Sequence, residues 1–262
     1  MGYLTGQSGS EYCKGNHHWI DKRMGKEIHV SMNTKRIFTE QELKEMGIRT
    51  LDLVHEAIEA GNKDKAKELA SRMYREFNFL HDGYIFWVSG LLTYIYKKYG
   101  IDAVEEAERE AHTIEARSGF KPPENTDLRS RVENLASGLR GHLQPITIME
   151  DDEKISLTMQ PCGSGERIIQ KGGYTPEVGL SKIEKSHPIT WGKDDFPIYC
   201  VHCPVMEMLE IENTGSFGAV HIVSDPIYHG ACQFVFYKNP ADIPEEFYER
   251  IGKKKPAGSE GR

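Results

Sequence analysis

The feature that most constrains the fold of this chain is a change in hydrophobic periodicity at Gln144-Pro145. Before this point, apolar residues recur every three or four positions, which is typical of amphipathic helices. After it, residues 146–149 and 155–159 alternate apolar and polar side chains on either side of Asp151-Asp152, which predicts a β-hairpin. The sequence therefore predicts an α+β protein, with an N-terminal helical domain followed by a mixed or antiparallel sheet domain.

Four segments follow from this change of pattern. Residues 1–36 are rich in Gly, Lys and His without periodicity, so they predict an extended N-terminal arm. Residues 37–143 form the predicted helical domain, and residues 144–252 form the predicted α+β domain that carries the cysteine-rich site. The Lys-rich residues 253–262 predict a disordered tail.

The helical domain divides into several predicted helices. Thr39 and Glu42 form a capping box, and helices are predicted over residues 50–60, 63–78, 79–99 and 101–118, with a last helix capped by Asn125 or Thr126. The helix at 79–99 is the most apolar and is expected to be central. His81 and Asp82, at its N-terminal end, either face the site as an acid/base pair or cap the helix; capping is favoured for Asp82, and the role of His81 is left open. Its aromatic residues belong either to the core or to a homodimer interface.

Charge and composition limit the partners of the chain. Its 262 residues carry a net charge of −7, which does not favour nucleic acid or an anionic membrane surface. No apolar run is long enough to span a bilayer, and the N-terminus lacks a secretory pattern. Five unevenly spaced cysteines do not indicate a disulfide framework. We therefore expect a cytoplasmic protein with reduced thiols and no membrane partner.

The strongest candidate for a functional site is the segment Cys200-Val201-His202-Cys203-Pro204. Proline suits the first position of a helix, so Cys203 is expected at the N-cap of a helix over residues 204–211. A thiol at that position faces unpaired N–H groups and the positive end of the helix dipole, both of which favour the thiolate. The alternative is that these cysteines are small apolar side chains of the core.

Two further cysteines flank this segment at a distance, and each lies at the end of a predicted strand. The four thiols would satisfy tetrahedral zinc or, alternatively, an iron–sulfur cluster. Without a metal, Cys203 or Cys200 would be a nucleophile with His202 or His229 as its base. The predicted metal ligands are Cys162, Cys200, Cys203 and Cys232, and the predicted catalytic residues are Cys203, His202 and His229.

Substrate-binding residues are predicted in the part of the chain that precedes the cysteine segment. No helix is expected after the glycine turn that follows Cys162, and the N–H groups of this turn can point at an anion. Together with an arginine, they would hold a substrate carboxylate. The alternative is a turn that only closes a hairpin. Residues 171–195 predict a lid or binding loop. The predicted substrate contacts are Gly163, Ser164, Gly165, Arg167, His187 and Trp191.

Two segments carry a resemblance to known proteins. Residues 200–207 and the Cys-Gln-Phe-Val-Phe run at 232–236, in a chain with a helical first half, resemble the group of L-2-amino-thiazoline-4-carboxylate hydrolases. More distantly, they resemble small-molecule-binding domains of the 4-vinyl-reductase type. The resemblance implies a small-molecule hydrolase, or a ligand-binding domain with zinc near its pocket.

These observations predict a hydrolase or lyase that acts on a small polar molecule at a site centred on zinc or on a thiolate. Two alternatives use the same cysteines differently. One is an iron–sulfur or redox protein, and the other is a small-molecule sensor module in which the cysteines are structural.

Overall fold

The computed structural model describes residues 37–118, 127–142, 145–223 and 231–256, so the predicted N-terminal arm lies outside the described residues. Helices dominate the N-terminal half and an antiparallel sheet follows them, which confirms the predicted α+β class. The helices are α1 Glu40–Met46, α2 Thr50–Glu59, α3 Lys63–Tyr99, α4 Ile101–Arg117, α5 Leu128–Arg140, α6 Gly165–Gln170, α7 His202–Thr214 and α8 Glu245–Glu249. The strands are β1 Ile146–Glu150, β2 Lys154–Met159, β3 Lys182–Ile183, β4 Phe196–Pro197, β5 Val220–Val223 and β6 Cys232–Tyr237.

The first helices begin where the sequence places them. Thr39 accepts a hydrogen bond from the backbone N–H of Glu42, and the Glu42 carboxylate accepts one from the Thr39 N–H at 2.7 Å, which confirms the capping box. Helix α2 ends just before Gly61, and Asn62 then caps α3. Helices α2 and α3 pack against each other as a hairpin.

Helix α3 is one continuous helix of 37 residues, about 55 Å long. The predicted boundary near residue 78 is therefore wrong, and Asp82 lies in the helix interior instead of capping a new helix. The apolar residues of α3 pack against different segments along its length. No proline lies within the helix, so its backbone hydrogen bonds continue without a break. In the C-terminal half only one face is buried, and on the opposite face Trp87 is 63 % exposed.

Two other helices begin at residues that differ from the prediction. Asp127 caps α5 by accepting the N–H of Ser130 at 2.7 Å, in place of the predicted Asn125 or Thr126. Helix α7 continues directly from a 3₁₀ turn over Ile198–Val201, so Cys203 lies inside its first turn and is not the N-cap. The proline that follows is tolerated there because the first N–H groups of a helix have no intrahelical partner.

The main sheet has the strand order β1-β2-β6-β5, and every neighbouring pair is antiparallel. The predicted hairpin is confirmed as β1 and β2. Strand β6 pairs with β2 so that Cys232 lies opposite Met159, at the end of β2. The chain then passes through Pro161 to Cys162, so the strand register places two of the cysteines at the same end of the sheet.

Each face of the sheet packs on a different helix. Phe234 and Phe236 of β6 contact a small core formed with α5, and Cys232 lies beside this core. Val235, which points to the other face, belongs to a larger core with Val205 and the rest of the apolar side of α7. The alternation along β6 predicted the shared face of Cys232 and the two phenylalanines, and the structure confirms it.

The remaining described segments are mostly irregular. Residues 171–195 contain only the two-residue strand β3 and a 3₁₀ turn at Pro188–Thr190, in agreement with the predicted loop. Of the predicted tail, Lys255 donates hydrogen bonds to the carbonyls of Ala241 and Ile243, and residues 257–262 lie outside the described part. In the described ranges, no helix has the length and apolar character needed to cross a membrane.

A buried ion pair joins α7 to its surroundings. Glu207 of α7 is 1 % exposed, and its carboxylate accepts hydrogen bonds from Arg250 at 2.8 and 3.0 Å. It also accepts the indole N–H of Trp191 at 2.6 Å and the backbone N–H of His221 at 2.7 Å. Because these donors come from the loop before β4, from β5 and from the residue after α8, one carboxylate connects four segments.

We expect the substitution Glu207→Gln to destabilise the fold by about 3 kcal/mol, because it leaves the buried Arg250 cation without its counter-charge. Urea unfolding followed by circular dichroism measures this free energy. The matched control is Glu212→Gln, also on α7, whose carboxylate is 37 % exposed and pairs with Arg109 and Lys253. The control should change stability by no more than about 1 kcal/mol. Equal effects of the two substitutions would contradict a special role of Glu207.

Candidate functional site

The structure brings the four predicted metal ligands together in one cluster, which we call the cysteine cluster. The thiols of Cys162 and Cys232 are hydrogen-bonded to each other, and the charge on Cys162 raises the pKa of Cys200 and of Cys203. A Cβ atom at Gly165 would lie 2.9 Å from Cys200 Sγ and 4.0 Å from Cys162 Sγ, so a glycine is needed for this approach. All four side chains are free thiols and partly exposed.

Cys162 is the ionised member of the cluster. The Cys232 thiol donates a hydrogen bond to it and, against the effect of burial, the backbone N–H groups of Ser164, Gly165 and Glu166 help lower the pKa of Cys162 to about 5. The backbone N–H groups of the glycine turn thus favour the Cys162 thiolate, and the binding of a substrate carboxylate by this turn stays a prediction. A short helix, α6, follows the turn, so the prediction that no helix follows is wrong.

The other three thiols are neutral. The pKa of Cys232 is raised because its thiol is hydrogen-bonded to the Cys162 thiolate and is buried. Burial raises the pKa of Cys200 and Cys203 well above the ordinary value, and the charge of Cys162 adds to the effect. The thiolate expected at Cys203 is not favoured, because burial and the charge of Cys162 raise the pKa of this thiol. The cluster holds one negative charge at neutral pH.

His202 is positioned to exchange a proton with Cys203. Its Nδ1 lies 2.6 Å from the carbonyl oxygen of Tyr199, which can only accept, so Nδ1 carries a proton. In the neutral ring Nε2 is then unprotonated, and it lies 3.3 Å from Cys203 Sγ. The thiol of Cys203 therefore donates to His202, which is the arrangement of a thiol and its base.

Helix α3 supplies a polar border to the site through His81 and Asp82, which the sequence offered either as residues facing the site or as a helix cap. Arg167 donates two hydrogen bonds of 2.8 Å to the Asp82 carboxylate, and Lys171 lies 3.1 Å from it. The neighbouring His81 has its Nε2 3.3 Å from the Ser164 hydroxyl, next to the N–H groups that hold the thiolate. The predicted substrate contact Arg167 is thus paired within the chain. The spacing of residues in α3 gave no signal of this pairing, because its partners lie more than 80 residues away.

The two other predicted contacts have partners of their own. Trp191 is buried, and its indole N–H is bonded to Glu207. His187 begins the 3₁₀ turn, where its Nδ1 accepts the Ile189 N–H at 3.3 Å. The observed hydrogen bonds of both residues are thus to groups outside the cysteine cluster. The predicted base His229 lies outside the described residues.

The donor chemistry of the cluster suits a soft metal, since cysteine sulfur is a ligand for zinc and for iron–sulfur centres. Among the residues placed by the structure, however, no three His, Cys, Asp or Glu side chains are arranged to hold a metal ion. The sulfur atoms are thus gathered without closing around a common centre. Zinc and an iron–sulfur cluster remain predictions.

We expect Cys232→Ala to raise the pKa of Cys162, because it removes the thiol that donates to the thiolate. Cys232→Ser, which keeps a donor, is the matched control and should leave the pKa low. The measurement is the rate of Cys162 alkylation by iodoacetamide against pH, read by mass spectrometry of the Cys162 peptide. In the unsubstituted protein this rate should be half-maximal near pH 5. A midpoint close to about 8.5, the value of a free cysteine, would refute the assignment.

The pH dependence of stability tests the ion pair of Asp82 at the border of the site. Burial alone would raise the pKa of Asp82, but hydrogen bonds from Arg167, Lys171 and His81 outweigh it and lower the pKa from 3.8 to about 2. The carboxylate therefore stabilises the fold by about 2 kcal/mol above pH 4, and this contribution is lost as the pH falls to about 2. Asp82→Asn should remove it.

The measurement is urea unfolding at pH 7 and at acid pH, where the difference between the Asp82→Asn variant and the unsubstituted protein should shrink. The control is Asp52→Asn, because Asp52 forms an exposed pair with Arg49 within the first turn of α2. Its effect should be much smaller at every pH. An Asp82 effect that is the same at both pH values would contradict the lowered pKa.

Comparison of the chain with family models, curated proteins and solved structures finds no match. The resemblance to the thiazoline carboxylate hydrolase group therefore stays a prediction. The geometry of the cysteine cluster is the basis for a functional assignment.

Proposed function

We propose that this protein is a hydrolase or lyase for a small polar molecule, with the thiolate of Cys162 as its reactive group. The feature that carries the proposal is the half-buried free thiol of Cys162, which lies beside Cys200 at Gly165 and whose pKa the Cys232 thiol and nearby backbone N–H groups lower to about 5. The thiolate is the nucleophilic form of cysteine, and a thiol with a pKa of about 5 is ionised at neutral pH without any base. A purely structural cysteine has no need of such stabilisation.

A hydrolysis at this site has two steps. In the first step, an electron pair of Cys162 Sγ forms a bond to an electrophilic carbon of the substrate, and the leaving group departs with the electrons of its former bond. In the second step, water attacks the same carbon and the carbon–sulfur bond breaks, which restores the thiolate. The proton of the water passes to Cys203 as Cys203 gives its own proton to His202, and His202 then releases a proton to solvent, which replaces the proton that the departed leaving-group anion took up from solvent in the first step.

The surroundings of the cluster support a polar substrate. Ser164, His81 and Tyr199 present hydroxyl and imidazole groups near the thiolate, and the Asp82 and Arg167 pair lies beyond them. A polar substrate can exchange hydrogen bonds with these groups, whereas an apolar one would leave them unpaired. Reactive thiols also need a reducing compartment, so the proposal includes a cytoplasmic location.

A metal centre is the second candidate function, because four sulfur atoms that share one negative charge are a favourable site for a cation. Cys162, Cys200, Cys203 and Cys232 would hold zinc, which would lower the pKa of the three neutral thiols and ionise them. Held by only three of these thiols, zinc would keep an open position and would lower the pKa of a water there to about 7. An iron–sulfur cluster on the same thiols would instead give a redox protein.

The test of the thiolate proposal uses p-nitrophenyl acetate, a small activated ester. The full chain should release about one equivalent of p-nitrophenolate in a rapid burst, with the acetyl group on the Cys162 peptide by mass spectrometry. Cys162→Ser should abolish the burst. Cys203→Ser should keep the burst and slow the later turnover, because it alters only the proton path. Acetylation spread evenly over the cysteines, or a burst that persists in Cys162→Ser, would overturn the proposal.

Metal content separates the two candidates. The protein is purified without added metal and without a metal-binding tag, and its elemental composition and absorption spectrum are recorded. About one zinc per chain that is lost in Cys200→Ser would favour the metal centre. Iron with sulfide would favour the redox protein. If the protein contains no metal and is not acetylated, the cysteines are structural, as in a sensor module.

A further inference from the structure

The outer face of α3 carries a regular apolar stripe, which we call the α3 seam. Its members follow one another at spacings of four, three, four and three residues, which is the heptad pattern of helices that pack on other helices. Each of them is between 51 % and 63 % exposed. The seam consists of Leu80, Tyr84, Trp87, Leu91 and Tyr94.

The same side of α3 is covered nearer its N-terminus by a helix of the same chain. Leu69 lies 18 residues before Trp87, which is five complete turns, so the two side chains point to the same side. Leu69 is 4 % exposed, in the half of α3 against which α2 packs. Helix α2 starts at Thr50, whose hydroxyl donates to Glu76 at 2.6 Å, so α2 does not extend along the seam. Among the described residues, the seam is therefore the continuation of a helix-packing face that no other segment covers.

Two glycines border the seam at positions where no described residue of the chain requires a glycine. Gly83 and Gly90 are seven residues apart in the interior of α3, and a Cβ atom at either position would meet no atom within 4 Å. Glycine is a poor residue in a helix interior, so alanine would be better at both positions in an isolated chain. Close approach of another helix backbone is a physical reason for glycine at this spacing.

The exposed apolar area has the size of a protein interface. With Phe79 and Val88 at its borders, the seam exposes on the order of 800 Å². A stable interface of ordinary size buries about 800 Å² on each partner. A monomer seldom exposes a contiguous apolar patch of this size without a function.

We propose that the protein is a homodimer in which the α3 seam of one protomer packs against the same seam of its partner. A two-fold interface needs a surface that is complementary to itself, and this face carries both the projecting and the receiving parts. Trp87 and Tyr84 project from it and form one wall of a groove of about 770 Å³ that runs past Phe79 and Gly83. The other wall carries the charged side chains of Asp82, Arg167 and Lys171. The aromatic side chains of one protomer fill the groove of the other.

Analytical ultracentrifugation of the full chain over a wide concentration range tests this proposal. The unsubstituted protein should sediment as a dimer that dissociates on dilution. Trp87→Glu should weaken the dimer by roughly 30-fold or more, because it places a charge at the centre of the interface. The matched control is Ile114→Glu on α4, which is 57 % exposed and lies outside the seam. It should leave the dimer unchanged, and both variants should keep their helical circular dichroism.

Gly90→Ala separates an effect on the interface from an effect on the stability of the helix. In the Trp87→Glu background the alanine should raise the melting temperature, because it favours the helix. In the unsubstituted background the same alanine should weaken the dimer, because the helices no longer approach as closely. A chain that stays monomeric at every concentration, or a dimer that survives Trp87→Glu, would overturn the proposal. Protection of Trp87 from iodide quenching in a monomer, lost on removal of residues 1–36, would show instead that the arm covers the seam.

Discussion

One buried carboxylate determines how the C-terminal half is assembled. Glu207 is on the inner side of α7, and its four donor contacts come from segments before and after it in the chain. A charge in the protein interior is tolerated only where it is paired and fully hydrogen-bonded, so these segments have little freedom to move relative to α7. The same helix carries Cys203 in its first turn, one turn before Glu207. The position of the cysteine cluster thus depends on a contact that takes no part in its chemistry.

Within the cluster, the distribution of charge follows from which sulfur atom meets hydrogen-bond donors. Cys162 meets three backbone N–H groups and the thiol of Cys232, so it is ionised. Burial and the charge of Cys162 raise the pKa of Cys200 and of Cys203, so these two thiols keep their protons. A second thiolate nearby would repel the first in a medium of low dielectric constant. The proposed chemistry uses this inequality, with one sulfur atom as nucleophile and a neighbour as proton carrier.

Helix α3 connects the two proposals because its sides have different neighbours. His81 and Asp82 face Ser164 and Arg167 at the border of the cysteine cluster. The seam around Trp87 faces away from the core. A helix that is held on one side by ion pairs and hydrogen bonds presents a rigid opposite side, and a rigid surface loses little entropy on association.

The sequence by itself determined the types of most elements. The change of periodicity at residue 144 predicted the α+β class, the hairpin of β1 and β2, and the alternation that places Cys232 with Phe234. The identity of the four clustered cysteines also followed from their positions at the ends of predicted elements. These features depend on residues that are neighbours along the chain, and such residues share one periodic pattern.

Only the tertiary structure decided which groups act on one another. The continuity of α3, the pairing of Asp82 with Arg167 and the contact of Trp191 with Glu207 join segments far apart in sequence. The ionised thiol is Cys162 and not Cys203, because the pairing of β2 with β6 brings the Cys232 thiol, which donates a hydrogen bond, next to Cys162. The pKa of a side chain depends on every charge and donor within a few ångströms. Local sequence does not specify those neighbours, and the packing of distant segments does.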